Sequence, residues 1–295
     1  MTQMQVNGVN LYVEDTGTGE PIIFAHEFGG DSRSWSPQVD HFAAGYRCIT
    51  YNARGYPPSA VPEAESLYGQ QLSTNDLKGI LDALNIERAF VVGLSMGAYT
   101  GLMFAMQHPA RVHGLIFASG GSGAYPETRQ QFLADTQKVA DKMLESGSVD
   151  SAGISAGPSR VQLQNKNHEV WAQFASHLSE HSALGSAHTL RHVQAERPSL
   201  YDFADELRAM TTPTLLIVGD EDESCLDVNL YLKRSMPYAG LSILPKSGHL
   251  LNLEEPERFN TLLDDFFQTV KAGKWERRDP RSEVVSAFGQ RSERF

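Results

Sequence analysis

Cysteine is nearly absent from this chain: 295 residues hold two, Cys48 and Cys225. So few thiols exclude a disulfide-stapled scaffold, and the pair reads as a buried strand thiol and a loop thiol rather than a bridge or a metal pair. An excess of positive charge is missing too. Twenty-five lysines and arginines face 36 acidic side chains, for a net charge of −11, and no basic run occurs before the C-terminal tail. A polyanion such as nucleic acid is therefore not an expected ligand. Long apolar runs are also lacking. No segment reaches membrane-spanning length, and the first thirty residues hold no positively charged start followed by a long apolar stretch. The expectation is no membrane partner and, by default, a cytoplasmic location.

What is present suits one α/β domain, with 41% hydrophobic residues to build a sizeable core. Strand-like runs begin at Val9, Ile22, Arg47, Ala89, Val112, Thr214 and Leu241, and helix-like runs fall between them. Such alternation argues for a mostly parallel sheet with helices on both faces. From Tyr125 to Ala204 the pattern is helical only, with glycine breaks at Gly147, Gly153, Gly157 and Gly185. There Phe132, Leu133, Val139, Met143 and Leu144 suit one amphipathic helix, and Val170, Trp171, Phe174 and Leu178 another.

Three segments at strand ends carry chemistry. Gly93-Leu94-Ser95-Met96-Gly97 lies between an apolar strand and a helix. A serine between two near glycines at that junction can sit on a sharp turn with its hydroxyl clear of the backbone. After the strand at Thr214 comes Gly219-Asp220-Glu221-Asp222, a turn rich in carboxylates. After the strand at Leu241 comes Ser247-Gly248-His249. A serine hydroxyl is a poor nucleophile unless a base takes its proton, and an imidazole with a pKa of about 6.5 can do so near neutral pH.

Serine, acid and histidine in that chain order resemble the α/β-hydrolases, in an esterase- or lactonase-like branch with a helical lid. Two further segments extend the likeness. His26-Glu27-Phe28-Gly29-Gly30 resembles the family's oxyanion loop, and Asn52-Ala53-Arg54-Gly55-Tyr56-Pro57-Pro58-Ser59 resembles its Asp-x-Arg-Gly-x-Gly-x-Ser turn, with Asn52 and Pro57 as departures. The resemblance implies a mostly parallel eight-stranded sheet, a core formed by 1–122 and 207–272, a lid over 123–206, and a C-terminal extension over 273–295. It implies a catalytic triad of Ser95, Asp222 and His249. Asp222 is preferred to Asp220 because relatives carry the acid three residues beyond the strand-ending glycine. The amides of Phe28 and Met96 would form the oxyanion hole, and no cofactor is required.

Glu27, Trp171 and Phe174 are candidates for the substrate pocket. Glu27 stands where relatives commonly carry glycine, and its carboxylate is expected to turn away from the hole toward Arg54 or Arg33. His177 and His181, and His188 and His192, have metal-compatible spacing, yet they read as solvated lid histidines and no metal is expected. The tail would pack on the body, or on a second subunit in a homodimer, through Trp275, or else be mobile. The expected activity is hydrolysis of a small carboxylic ester, thioester or lactone through an acyl-enzyme on Ser95. Alternatives with the same triad are a cofactor-free perhydrolase or haloperoxidase-like enzyme and a carbon–carbon bond hydrolase. A ligand receptor on the hydrolase scaffold is the alternative of another class.

Overall fold

Eight strands form one sheet in a computed structural model that describes residues 2–283. They are β1 (Thr2–Val6), β2 (Val9–Thr16), β3 (Glu20–Ala25), β4 (Tyr46–Tyr51), β5 (Ala89–Leu94), β6 (Val112–Ala118), β7 (Thr214–Gly219) and β8 (Ala239–Leu244). Their spatial order is β1-β2-β4-β3-β5-β6-β7-β8. The antiparallel pairs β1–β2 and β2–β4 form one edge, and every pairing from β4 to β8 is parallel. β1 was not anticipated, because Thr2–Val6 is mostly exposed and lacks an apolar run.

The central strands bury both faces, which is why they read as nearly continuous apolar runs. Side chains alternate between two cores. Ile23, Ala25, Val91, Leu115 and Phe117 pack on one face with Leu77, Leu81, Leu102 and Phe104 of the Gln70–Ala83 and Met96–Gln107 helices. Ile22, Phe24, Phe90, Val92 and Ile116 pack on the other with Trp35, Phe42, Phe259, Leu263 and Phe267. The Gln70–Ala83 helix starts within a polar stretch that carries no apolar periodicity.

Between β6 and β7 the chain is helical throughout, with its longest helices at Arg129–Ser146 and His168–Ser179. The face of the first differs from the expected one. Thr136, Ala140 and Met143 are buried, whereas Val139 and Leu144 are exposed, because neighbouring helices cover the side on which the small residues lie. Phe174 and Leu178 are buried as the second pattern implies. Gly147 ends its helix in the left-handed conformation. Gly153 and Gly185 instead lie inside short helices, and Gly185 packs directly on the Gly55 backbone of the core. Trp275 folds back on the body: its indole N–H donates to the Tyr238 carbonyl at 2.7 Å, and its ring meets Phe266 edge-on. The rest of the tail, from 284 onward, lies outside the described residues. No described helix is long and apolar enough to cross a membrane.

Candidate active site

Ser95 occupies the turn between β5 and the Met96–Gln107 helix with φ 54° and ψ −108°. A non-glycine residue there stores roughly 1–3 kcal/mol of strain, which the surrounding packing must hold. The two glycines explain how. A side chain at Gly97 would put its first carbon 2.0 Å from the Ala25 carbonyl oxygen, and one at Gly93 would lie 2.3 Å from the Gly97 oxygen. The helix therefore presses against the ends of β3 and β5 and pushes Ser95 outward. The Met96 amide heads that helix, so it is among the donors left without an intrahelical partner.

His249 follows β8 on a turn that a buried carboxylate shapes. The two oxygens of Glu254 accept from the amides on either side of the histidine, Gly248 at 2.7 Å and Leu250 at 3.0 Å. The His249 Nδ1 lies 2.8 Å from the Asp222 Oδ2, and both side chains are buried. Burial alone would lower the imidazole pKa, but the charge and hydrogen bond of Asp222 override it and push it up to about 10. Asp222 is opposed by burial as well, yet His249 pulls its carboxyl below the ordinary value. Asp220 has a different task, accepting the Ser247 amide at 3.2 Å and so bracing the histidine turn.

A family model described as the alpha/beta hydrolase fold matches residues 20–256. The chain belongs to that family. A hydrolase from Paraburkholderia xenovorans, 2-hydroxy-6-oxononadienedioate/2-hydroxy-6-oxononatrienedioate hydrolase, is 28% identical over 88% of this chain and 90% of its own. The 3-oxoadipate enol-lactonase 1 of Acinetobacter baylyi is 25% identical over 92% and 97%. Among solved structures, a thermophilic esterase from Thermogutta terrifontis superimposes with a TM-score of 0.79 at 26% identity, covering 91% of this chain and 97% of its own.

The loop after β3 is set by His26. Its Nε2 accepts the Ala53 amide at 3.0 Å, so its Nδ1 carries the proton and donates to the Glu27 carbonyl at 2.8 Å. Burial lowers the His26 pKa to about 4 and keeps the ring neutral. Gly30 N–H donates to the same carbonyl. In a trans peptide the following N–H points the opposite way, so Phe28 N–H is turned from these partners.

Glu27 does not meet Arg54 or Arg33. Arg54 is taken by Asp76 at 2.7 Å, and Arg33 by Asp31 and Glu180. The Glu27 side chain is fully buried; Ser34 Oγ reaches its Oε1 at 3.3 Å and its Oε2 has no partner among the described residues. Burial raises its pKa, with the Arg160 charge opposing. Arg160 is a buried cation that the sequence reading missed, since one arginine in a helical stretch carries no local signal. Its guanidinium donates to the Phe28 carbonyl at 2.9 Å and the Ser159 hydroxyl at 2.8 Å, and lies 5.3 Å from the centre of the Phe174 ring. Phe174 thus faces the loop after β3. Trp171 is turned elsewhere, donating to the Ser155 carbonyl at 2.6 Å within the helical segment.

Cys225 sits in the turn before the Leu226–Ser235 helix, as expected of a loop thiol. It is fully buried, donates to the Ser119 carbonyl at 3.2 Å, and lies beside Asp222 and His249. Cys48 is buried on β4 as expected. Of the four histidines with metal-compatible spacing, His181 and His188 are buried rather than solvated, and His181 Nε2 lies 3.2 Å from Asp31.

Proposed function

We propose that this α/β-hydrolase is a serine hydrolase that cleaves a small carboxylic ester, thioester or lactone, with Ser95 as nucleophile, His249 as base and Asp222 as its partner. The buried Asp222–His249 contact of 2.8 Å carries the reading, since it fixes the Nδ1–H tautomer and leaves Nε2 as the free base. Ser95 Oγ attacks the carbonyl carbon as His249 Nε2 takes its proton. The tetrahedral oxyanion lies against the Phe28 and Met96 amides. Collapse breaks the acyl–oxygen or acyl–sulfur bond, and His249 returns the proton to the leaving group. Water, deprotonated by His249, then attacks the acyl-enzyme and releases the acid and Ser95. The names of the enol-lactonase and esterase relatives support this choice of bond.

The helical segment between β6 and β7 serves as the lid in this reading, with Phe174 and Arg160 as its contributions near the oxyanion loop. The test is covalent. A fluorophosphonate should label the wild type on the peptide containing Ser95, abolish turnover of short acyl esters and leave Ser95→Ala unlabelled. An active protein that resists the probe under conditions labelling a control esterase would remove Ser95 as nucleophile.

A further inference from the structure

Far from the triad in sequence, His188 and His192 stand one helical turn apart where the chain takes the wide π form over Thr189–Ala195, a backbone state concentrated at functional sites. His188 is 4% exposed, and among the described residues neither of its ring nitrogens makes a well-formed hydrogen bond, though the Glu63 backbone lies near the ring. A buried imidazole so poorly satisfied is costly unless something binds there. Its neighbour is already oriented. His192 Nδ1 is held by the Glu196 Oε1 at 2.8 Å, while its Nε2 has no hydrogen-bond partner among the described residues and lies 3.7 Å from the Glu65 Oε2. A carboxylate on one nitrogen of an imidazole is the usual support for a metal on the other. Glu65 comes from the connection between β4 and the Gln70–Ala83 helix, so the cluster joins the core to the helical segment.

We propose that Glu65, His188 and His192 form a binding site for a divalent transition-metal ion, of which zinc fits best, that fastens the helical segment to the core. One ligand atom from each residue lies within 4.8 Å of the others. A tetrahedral zinc ion with bonds of about 2.0 Å spaces its ligands about 3.3 Å apart, so the side chains close by roughly an ångström or less on average. Glu65 can make that movement, since its side chain is 60% exposed. Two imidazoles and one carboxylate leave a fourth position for water. The nearest competing cation, Arg191, is engaged by Asp141 and stands 3.9 Å from Glu65.

The test is metal titration of chelator-stripped full-length protein. Calorimetry should give one zinc per chain with a dissociation constant in the micromolar range or below. Excess zinc should raise the melting temperature by about 5 °C at a hundredfold excess over that constant. Cobalt in its place should show the d–d absorption of a tetrahedral or five-coordinate nitrogen–oxygen site. Glu65→Gln, on an exposed side chain where folding is not at risk, should weaken binding at least tenfold, and His192→Gln at least a hundredfold. Glu196→Gln, acting through His192, should cost about tenfold. Wild-type affinity in both Glu65→Gln and His192→Gln overturns the site. So does zinc binding lost in Cys225→Ser but kept in those variants, which would place the ion beside Asp222 and His249. Failure to bind zinc or cobalt below about 100 μM overturns it as well.

Discussion

Replacing Glu27 and Arg160 singly and together tests how the proposed oxyanion loop tolerates a buried carboxyl. As an anion, Glu27 would leave Oε2 without a donor among the described residues, at a cost of several kcal/mol, so burial favours its neutral form. Glu27→Gln, nearly isosteric and neutral, should then keep kcat/KM within about threefold of wild type. Were Glu27 ionised at roughly 5 Å from the developing oxyanion, repulsion at an effective dielectric of 20 would be about 3 kcal/mol. Its removal would then accelerate acylation by more than a hundredfold. Arg160→Met removes the charged donor to the Phe28 carbonyl, a bond worth about 1.5–3 kcal/mol, and should lower kcat/KM about 10- to 100-fold. Since a neutral Glu27 needs no counter-charge, the double variant should match Arg160→Met alone, with a coupling below about 0.5 kcal/mol. Steady-state kinetics on a short acyl ester read all four proteins. Rescue of Arg160→Met by Glu27→Gln would show that Arg160 neutralises a charged Glu27, and the protonated reading would fall.

The raised Glu27 pKa also fixes a sign in stability. The unfolded chain ionises this group near 4.5 and the folded one only above that, so its contribution favours folding at low pH and is lost as pH rises. Denaturant titrations should show Glu27→Gln gaining relative to wild type above pH 4.5, and parallel curves would refute the shift. At the proposed triad, kcat/KM should rise with pH through a limb above the ordinary imidazole value of about 6.5, because the base works only when neutral and Asp222 holds its proton on. Asp222→Asn should cut kcat by several orders of magnitude and move that limb down, whereas Asp220→Asn should mainly lower the melting temperature; the reverse ranking would make Asp220 the partner. Trimming Phe174 to alanine should change kcat/KM ratios among acyl chain lengths by about 1–3 kcal/mol, and Trp171→Ala should not, a distinction that competition between paired esters would expose.

Seven of the eight strands and the triad candidates were legible in the sequence because each rests on a local signal. Fully buried parallel strands must be apolar on both faces, so β3, β5, β6 and β7 announce themselves. The serine turn needs glycines within two residues for steric reasons that do not depend on the rest of the chain. β1 and the start of the Gln70–Ala83 helix were not legible, because their hydrogen bonds and packing come from distant partners rather than from a pattern of their own. The choice of Asp222 over Asp220 was an expectation from resemblance; the fold turns one toward the imidazole and the other toward the Ser247 amide. Direction was decided only by tertiary structure. A sequence fixes which residues are charged, but burial depends on what covers them, so Glu27 lost both arginines assigned to it and gained Arg160 as its neighbour from 133 positions away. The same holds for Cys225 beside the triad and for Glu65 beside His188 and His192. Each is an unremarkable side chain in its own stretch, brought to its partners by a sheet and a helical segment that close around them.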